Sequence, residues 1–198
     1  MSSTTHSAVK SIKIYGHVSA MPEKFAGLFN GSVATEVEPE SDVAIFVVNP
    51  SAGIDEATIS MWRAFEEFQT PRLVLVTVLD GMELDFEDAV MVGNRVFDSL
   101  VTPYLVLHGD SGTPIGTISL KDFSTKDYST NPPTPGTADS ELQEMVADFR
   151  EEYLDHMVEM EDGAFAAGIL FPALPVNLAN GLGLDLVENY LASLPSSS

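Results

Sequence analysis

DVAIFVVNPSAGIDEATISMWRAFEEFQTPRLVLVTVLD, running from Asp42 to Asp80, is the stretch on which the fold turns. Val43–Val48 and Leu73–Val78 are continuous apolar runs rich in β-branched residues. Strands buried on both faces of a parallel sheet have that pattern, whereas half-exposed strands alternate. Between the runs, Asn49-Pro50-Ser51-Ala52-Gly53 reads as a turn. Asp55–Phe68 then places Ile59, Trp62, Phe65 and Phe68 at helical spacing, and Pro71 ends the segment. Strand, helix, strand with short connections implies a right-handed crossover and a parallel sheet.

Working outward, Ile12–Tyr15 reads as a strand ending in Gly16, and Glu23–Phe29 as a short helix with Pro22 near its start. Ser32–Ser41 is polar and acidic, a loop in which Val33, Thr35 and Val37 alternate. Asp80-Gly81 is a turn, and Phe86–Leu100 a second amphipathic helix. Tyr104–His108 and Ile115–Leu120 are short strands around the turn His108–Gly112. Ser129–Ala138 (STNPPTPGTA) is a linker without regular structure. Ser140 and Gln143 form a capping box for one long helix, Glu141–Met160. Ala167–Leu174 is the last buried strand, weakened at its end by Pro172, and Leu184–Leu194 the closing helix. The expected architecture is a single three-layer α/β domain over 1–198, with a core of 11–102 and 166–198. A small α+β subdomain, 103–165, is inserted in it.

Composition narrows the function. The 198 residues are 44% hydrophobic and 20% charged, which is globular composition. Thirty acids against nine bases give a net charge of -21, so a broad basic surface for DNA, RNA or anionic lipid is not expected. The absence of cysteine removes disulfides, thiolate zinc sites and cysteine nucleophiles. No apolar run approaches the length of a membrane span, and residues 1–10 read as a disordered leader. A cytoplasmic protein is the expectation.

The order of elements resembles the G domain of translation elongation factor G. That family has an apolar strand, a turn ending in Ala-Gly, a Thr-x-x-x-Trp-Arg helix, Pro-Arg, another apolar strand and Asn-Lys-x-Asp. Here Ala52-Gly53, Thr58, Trp62-Arg63-Ala64, Pro71-Arg72 and Asp80 stand in that order. IGTISLKDF and ELQEMVADFREEYLDHMVEMED resemble the subdomain inserted in that G domain, and AGILFPALPVNLANGLGLDLVENYLASLP its last strand and helix. The likeness runs from about Lys13 to Pro195.

The chemistry of the family does not come with it. A phosphate-binding loop needs G-x-x-x-x-G-K-[ST], so that amides, a lysine and a magnesium-binding hydroxyl surround the phosphates. Gly16-His17-Val18-Ser19-Ala20-Met21-Pro22-Glu23 stands there instead. Met21 replaces the second glycine, Pro22 the lysine and Glu23 the hydroxyl. The 25 residues between Gly16 and Asp42 leave no room for both switch regions and Asp-x-x-Gly. The guanine-reading motif has become Thr77-Val78-Leu79-Asp80, and the Gly-Ser-Ala loop roughly Leu174-Pro175-Val176. Three lost charge-assisted contacts remove roughly 4–9 kcal/mol, about 10³ to 10⁶ in affinity. A pseudo-GTPase without nucleotide cofactor is expected, with Gly16, Lys24 and Asp80 as its vestigial nucleotide site.

Two alternatives stand beside it. One is a true GTPase binding GTP or GDP with Mg²⁺ through an unconventional site around Gly16 and Lys24. The other is an acidic partner of a basic protein, whose binding falls with salt. The resemblance implies translation as the context and a protein partner, the ribosomal stalk protein, for the inserted subdomain. Glu144, Asp148, Glu151, Glu152 and Asp155 are the candidate contact face. The family's later domains lie outside this chain, so translocation by it alone is not expected. Loss of the switch segment makes Ile12–Tyr15 a new sheet edge, covered by Val33–Val37 or by a strand-paired homodimer. Ser32–Ser41 is too short for a parallel crossover, so a strand there is expected to be antiparallel. GDSG (Gly109–Gly112) reads as a hairpin turn rather than a protease nucleophile segment. Glu152 with His156, and the acids from Asp80 to Asp88, lack the spacing of metal sites. Trp62 reads as core.

Overall fold

The computed structural model describes residues 10–78 and 85–195. Six strands form a wholly parallel sheet: β1 (Ile12–Tyr15), β2 (Ser32–Val33), β3 (Val43–Val48), β4 (Arg72–Thr77), β5 (Leu100–Val101) and β10 (Phe171–Val176). Their order is β2-β1-β3-β4-β10-β5. Helices α1 (Pro22–Leu28) and α6 (Leu184–Ser193) cover one face, where Phe25, Phe29, Val187 and Leu191 meet Ile14, Ile45, Leu75 and Leu174. Helices α2 (Glu56–Ala64) and α3 (Phe86–Val96) cover the other, where Trp62, Phe86 and Val90 meet Phe46, Val74 and Ala173. Alternate residues of one strand serve opposite layers, so every residue of β3 and β4 is buried. This is the expected three-layer α/β fold.

Several local expectations are corrected. Ser32-Val33 is a strand, and it is parallel to β1 in the register Lys13↔Ser32. The crossover it needs is α1, which lies before the acidic segment rather than within it. β1 is therefore interior, and the outer edge is the two-residue β2. Residues 34–42 then return across β1 on the face opposite α1, where Ala34 and Val37 pack beside Tyr15. Helix α3 ends at Val96, not Leu100, because Leu100 belongs to β5 and its amide donates to Asn94 Oδ1 at 2.8 Å.

The last strand begins four residues later than expected and runs through two prolines. Pro172 stands just before the first β4 pair, Ala173↔Val74. Val176 O accepts from the Val78 amide, so by alternation Pro175 turns its nitrogen to the other side, where β5 has already ended. Pro175 therefore removes no bond that the ladder would otherwise make, and Pro172 stands at the start of the strand, where a missing donor is tolerated. Leu174-Pro175-Val176 is consequently strand, and the loop that follows is 177–183.

A second, antiparallel sheet holds β6 (Tyr104–His108), β7 (Pro114–Ser119), β8 (Ser124–Asp127) and β9 (Thr134–Thr137) in that order. β9 lies inside the stretch expected to be an irregular linker. Its Pro135 is tolerated because β9 is an edge strand, exposed throughout. The single long helix is two: α4 (Ser140–Met145) and α5 (Ala147–Val158), broken at Val146, which is buried against Leu105 and Ile118. The cap is Asp139, whose carboxylate accepts from the Leu142 amide at 2.9 Å, not Ser140. Tyr128 and Lys126 of this sheet region both bind Asp185 in the first turn of α6, Tyr128 Oη at 2.6 Å. Burial and that carboxylate hold the Tyr128 phenol well above its usual range.

Candidate functional site

The chain moves outward from β1 to β2, then back across β1 to β3. The carboxyl ends of β1 and β3 therefore flank a topological switch point, where open α/β sheets bind ligands. The loops there are 16–21 after β1 and 49–55 after β3. Gly16 is obligatory at the first: its φ is +153°, and a Cβ would lie 2.5 Å from Val47 O. The backbone thus crosses directly over β3, as a phosphate loop does.

Beyond Gly16 the loop turns inward on itself. His17 Nδ1 accepts from the Ser19 amide at 3.2 Å and stands 2.8 Å from Ser19 Oγ. The Ala20 amide donates to His17 O at 2.9 Å, and the Met21 amide to Val18 O at 3.0 Å. Met21 closes this turn of 3₁₀ helix in the left-handed region, φ +56°. Pro22 opens α1 and has no amide to give. Glu23 places a carboxylate in the first turn of α1, where a dipole would otherwise favour an anionic ligand. Of the five residues 19–23, three spend their amides within the loop and a fourth has none.

Asn49, which sequence reasoning passed over, fastens the opening. Its Nδ2 donates to Ser19 O at 3.1 Å across the switch point, while its Oδ1 accepts from the Ser51 amide at 3.1 Å. The signal was present: asparagine before proline after a buried strand initiates a turn and leaves its own amide free to bridge.

Of the vestigial nucleotide residues, Gly16 sits at the switch point and Lys24 is an exposed residue of α1. Asp80 lies outside the described residues, as do Leu79 and the Asp80-Gly81 turn. The partner-face residues Glu144 on α4 and Asp148, Glu151, Glu152 and Asp155 on α5 are all exposed. Neither ion pair among the described residues, Lys13–Glu38 or Lys126–Asp185, involves them. Among the described residues no three His, Asp or Glu side chains converge on a metal position. His108–Gly112 is a hairpin turn closed by the Gly109 amide on Thr113 O.

Comparison with known proteins bears on the fold as a whole. Elongation factor G-like proteins from two strains of Mycobacterium tuberculosis are each 28% identical to the chain over 178 aligned positions, covering 79% of it and 25% of each relative. The chain resembles elongation factor G. It spans about a quarter of the length of these elongation factor G-like relatives. A crystal structure from Thermus thermophilus superposes with a TM-score of 0.67 at 24% identity, over 80% of this chain and 27% of that one, which establishes the shared fold. No protein-family model matches the chain. No helix among the described residues is long and apolar enough to cross a membrane.

Proposed function

We propose that the chain is an elongation factor G-like pseudo-GTPase: a non-catalytic interaction module connected with translation. One observation carries this reading. The amides that a phosphate loop would aim at a nucleotide are spent inside residues 17–21, and Asn49 ties that loop to the turn after β3. No bound nucleotide is needed to satisfy this backbone. Pro22 and Glu23 add a missing donor and an opposing charge at the same place.

Function then rests on protein contacts. The exposed acids of α4 and α5 carry no cationic partner among the described residues, and they suit a basic protein surface such as one on the ribosomal stalk. The deciding experiment is a titration of the purified chain with fluorescent GDP and GTP in Mg²⁺, followed by anisotropy. No saturable binding into the millimolar range is expected. Tight, magnesium-dependent binding overturns the proposal and favours a rebuilt GTPase site.

A further inference from the structure

Between α3 and the α4–α5 pair runs an apolar groove whose floor is the β6–β7 hairpin. It consists of two adjoining cavities of about 850 Å³ and 200 Å³, both lined by Glu87, Met91, Leu105 and Phe149. Met91 is 53% exposed, Phe149 44% and Met145 71%. On an amphipathic helix these are residues of the apolar stripe, which ordinarily faces a core. Here the break at Val146 sends that one side chain into the core and leaves its neighbours open. An exposed stripe of methionine and aromatic side chains between two helices is the form taken by helix-in-groove recognition.

The charge around the groove selects the occupant. Asp85, Glu87, Asp88 and Glu152 line it, and no lysine or arginine does among the described residues. Glu87 is the telling one. It is half-buried, and burial together with Asp85 and Asp88 raises its carboxyl above the usual range. A carboxylate held partly out of water among like charges gains from a cation brought to it. A second copy of this chain brings -21 of further negative charge, and residues 1–9 contain no lysine or arginine. Neither is the complementary partner that an acidic groove favours.

We propose that this groove docks a basic amphipathic helix of another protein, its apolar face on Met91, Met145 and Phe149 and a lysine or arginine on Glu87. The proposal concerns a different surface from the nucleotide loop and does not depend on whether nucleotide binds. It shares only Glu152 with the outward acidic face.

The probe is a fluorescein-labelled leucine–lysine amphipathic peptide of about three helical turns, with its leucine–glutamate counterpart as control. Binding is read by anisotropy on the full chain at physiological salt, with folding of each variant checked by circular dichroism. Met91→Glu and Met145→Glu change exposed positions, and Val158→Glu, at a site 79% exposed outside the groove, makes the same charge change. The groove predicts that Met91→Glu, Met145→Glu and Glu87→Gln each weaken the basic peptide by about tenfold, a typical loss for a central contact. Val158→Glu should leave affinity unchanged or slightly tighter, and the leucine–glutamate peptide should not bind. Diffuse attraction to an acidic protein predicts the opposite for both methionine variants, because each adds a negative charge. Equal affinity of Met91→Glu, Met145→Glu and Val158→Glu for the basic peptide overturns the proposal, as does binding of the leucine–glutamate peptide.

Discussion

Met21→Gly, Pro22→Lys and Glu23→Ser together restore the residue types of a phosphate loop, yet the triple variant is expected not to bind GDP tightly. The restored lysine and hydroxyl offer two charge-assisted contacts, about 3–6 kcal/mol. To use them the loop must open. Opening breaks three internal amide bonds, from Ser19, Ala20 and Met21, and the Asn49 bridge to Ser19. At about 0.5–1.5 kcal/mol each, those four bonds oppose opening by roughly 2–6 kcal/mol. The two sums nearly cancel. Glycine at position 21 does not help, because φ +56° is a conformation glycine prefers, and it makes the closed loop easier to hold. Adding Asn49→Ala removes one of the four bonds and should tighten binding by about two- to tenfold relative to the triple variant. The assay is anisotropy of fluorescent GDP in Mg²⁺, with wild type, triple and quadruple variants in parallel. A Kd below about 10 μM for the triple variant with Asn49 intact would refute the reasoning, since binding of about -7 kcal/mol leaves no room for a closed loop.

Four further outcomes are expected. Trp62→Ala removes a fully buried ring that packs on Phe46, Phe97 and Phe171 and lies 4.3 Å beneath the buried Arg72 guanidinium; it should cost about 3–5 kcal/mol in urea unfolding. Tyr128→Phe deletes the bond to Asp185 that ties the inserted sheet to α6, with a loss of about 1.5–3 kcal/mol by the same measurement. Tyr104, Tyr128, Tyr153 and Tyr190 all have raised folded pKa values, chiefly through burial, so their contribution is present below the unfolded tyrosine value near 10 and lost as pH rises beyond it. Urea midpoints should hold up to about pH 9 and fall by pH 11, and a flat profile contradicts this. Gly183→Ala places a Cβ 1.8 Å from Pro175 O at φ +78°, and should abolish the cooperative unfolding transition.

Long elements were readable because their energetics are local to the pattern. VAIFVV and RLVLVT can be buried on both faces only between two helical layers, and that places β3 and β4 without further information. β2 and β5 are two residues each, too short to show any period, and they exist because neighbouring strands offer them a ladder. β9 was hidden by composition: prolines deny an interior strand but not an edge. The helix break at Val146 is a tertiary effect, set by the pocket of Leu105 and Ile118. At the candidate site, Gly16 and the three altered positions were legible because motif chemistry is tied to residue type. The closure was not, since backbone amides and the reach of Asn49 leave no mark in a motif.

That closure bears on how the fold stands without a nucleotide. An open phosphate loop presents several amides to one point, and without an anion each costs about 1–3 kcal/mol wherever it is shielded from water. Here the amides of Ser19, Ala20 and Met21 are satisfied internally, on His17 and Val18. Trp62 and Phe46 pack on the opposite face of the sheet from Ala20 of that loop. The sheet and its helices can therefore keep their shape with no anion in the loop. The acids of α4 and α5 stand free of internal ion pairs among the described residues, available to a partner rather than committed to the fold.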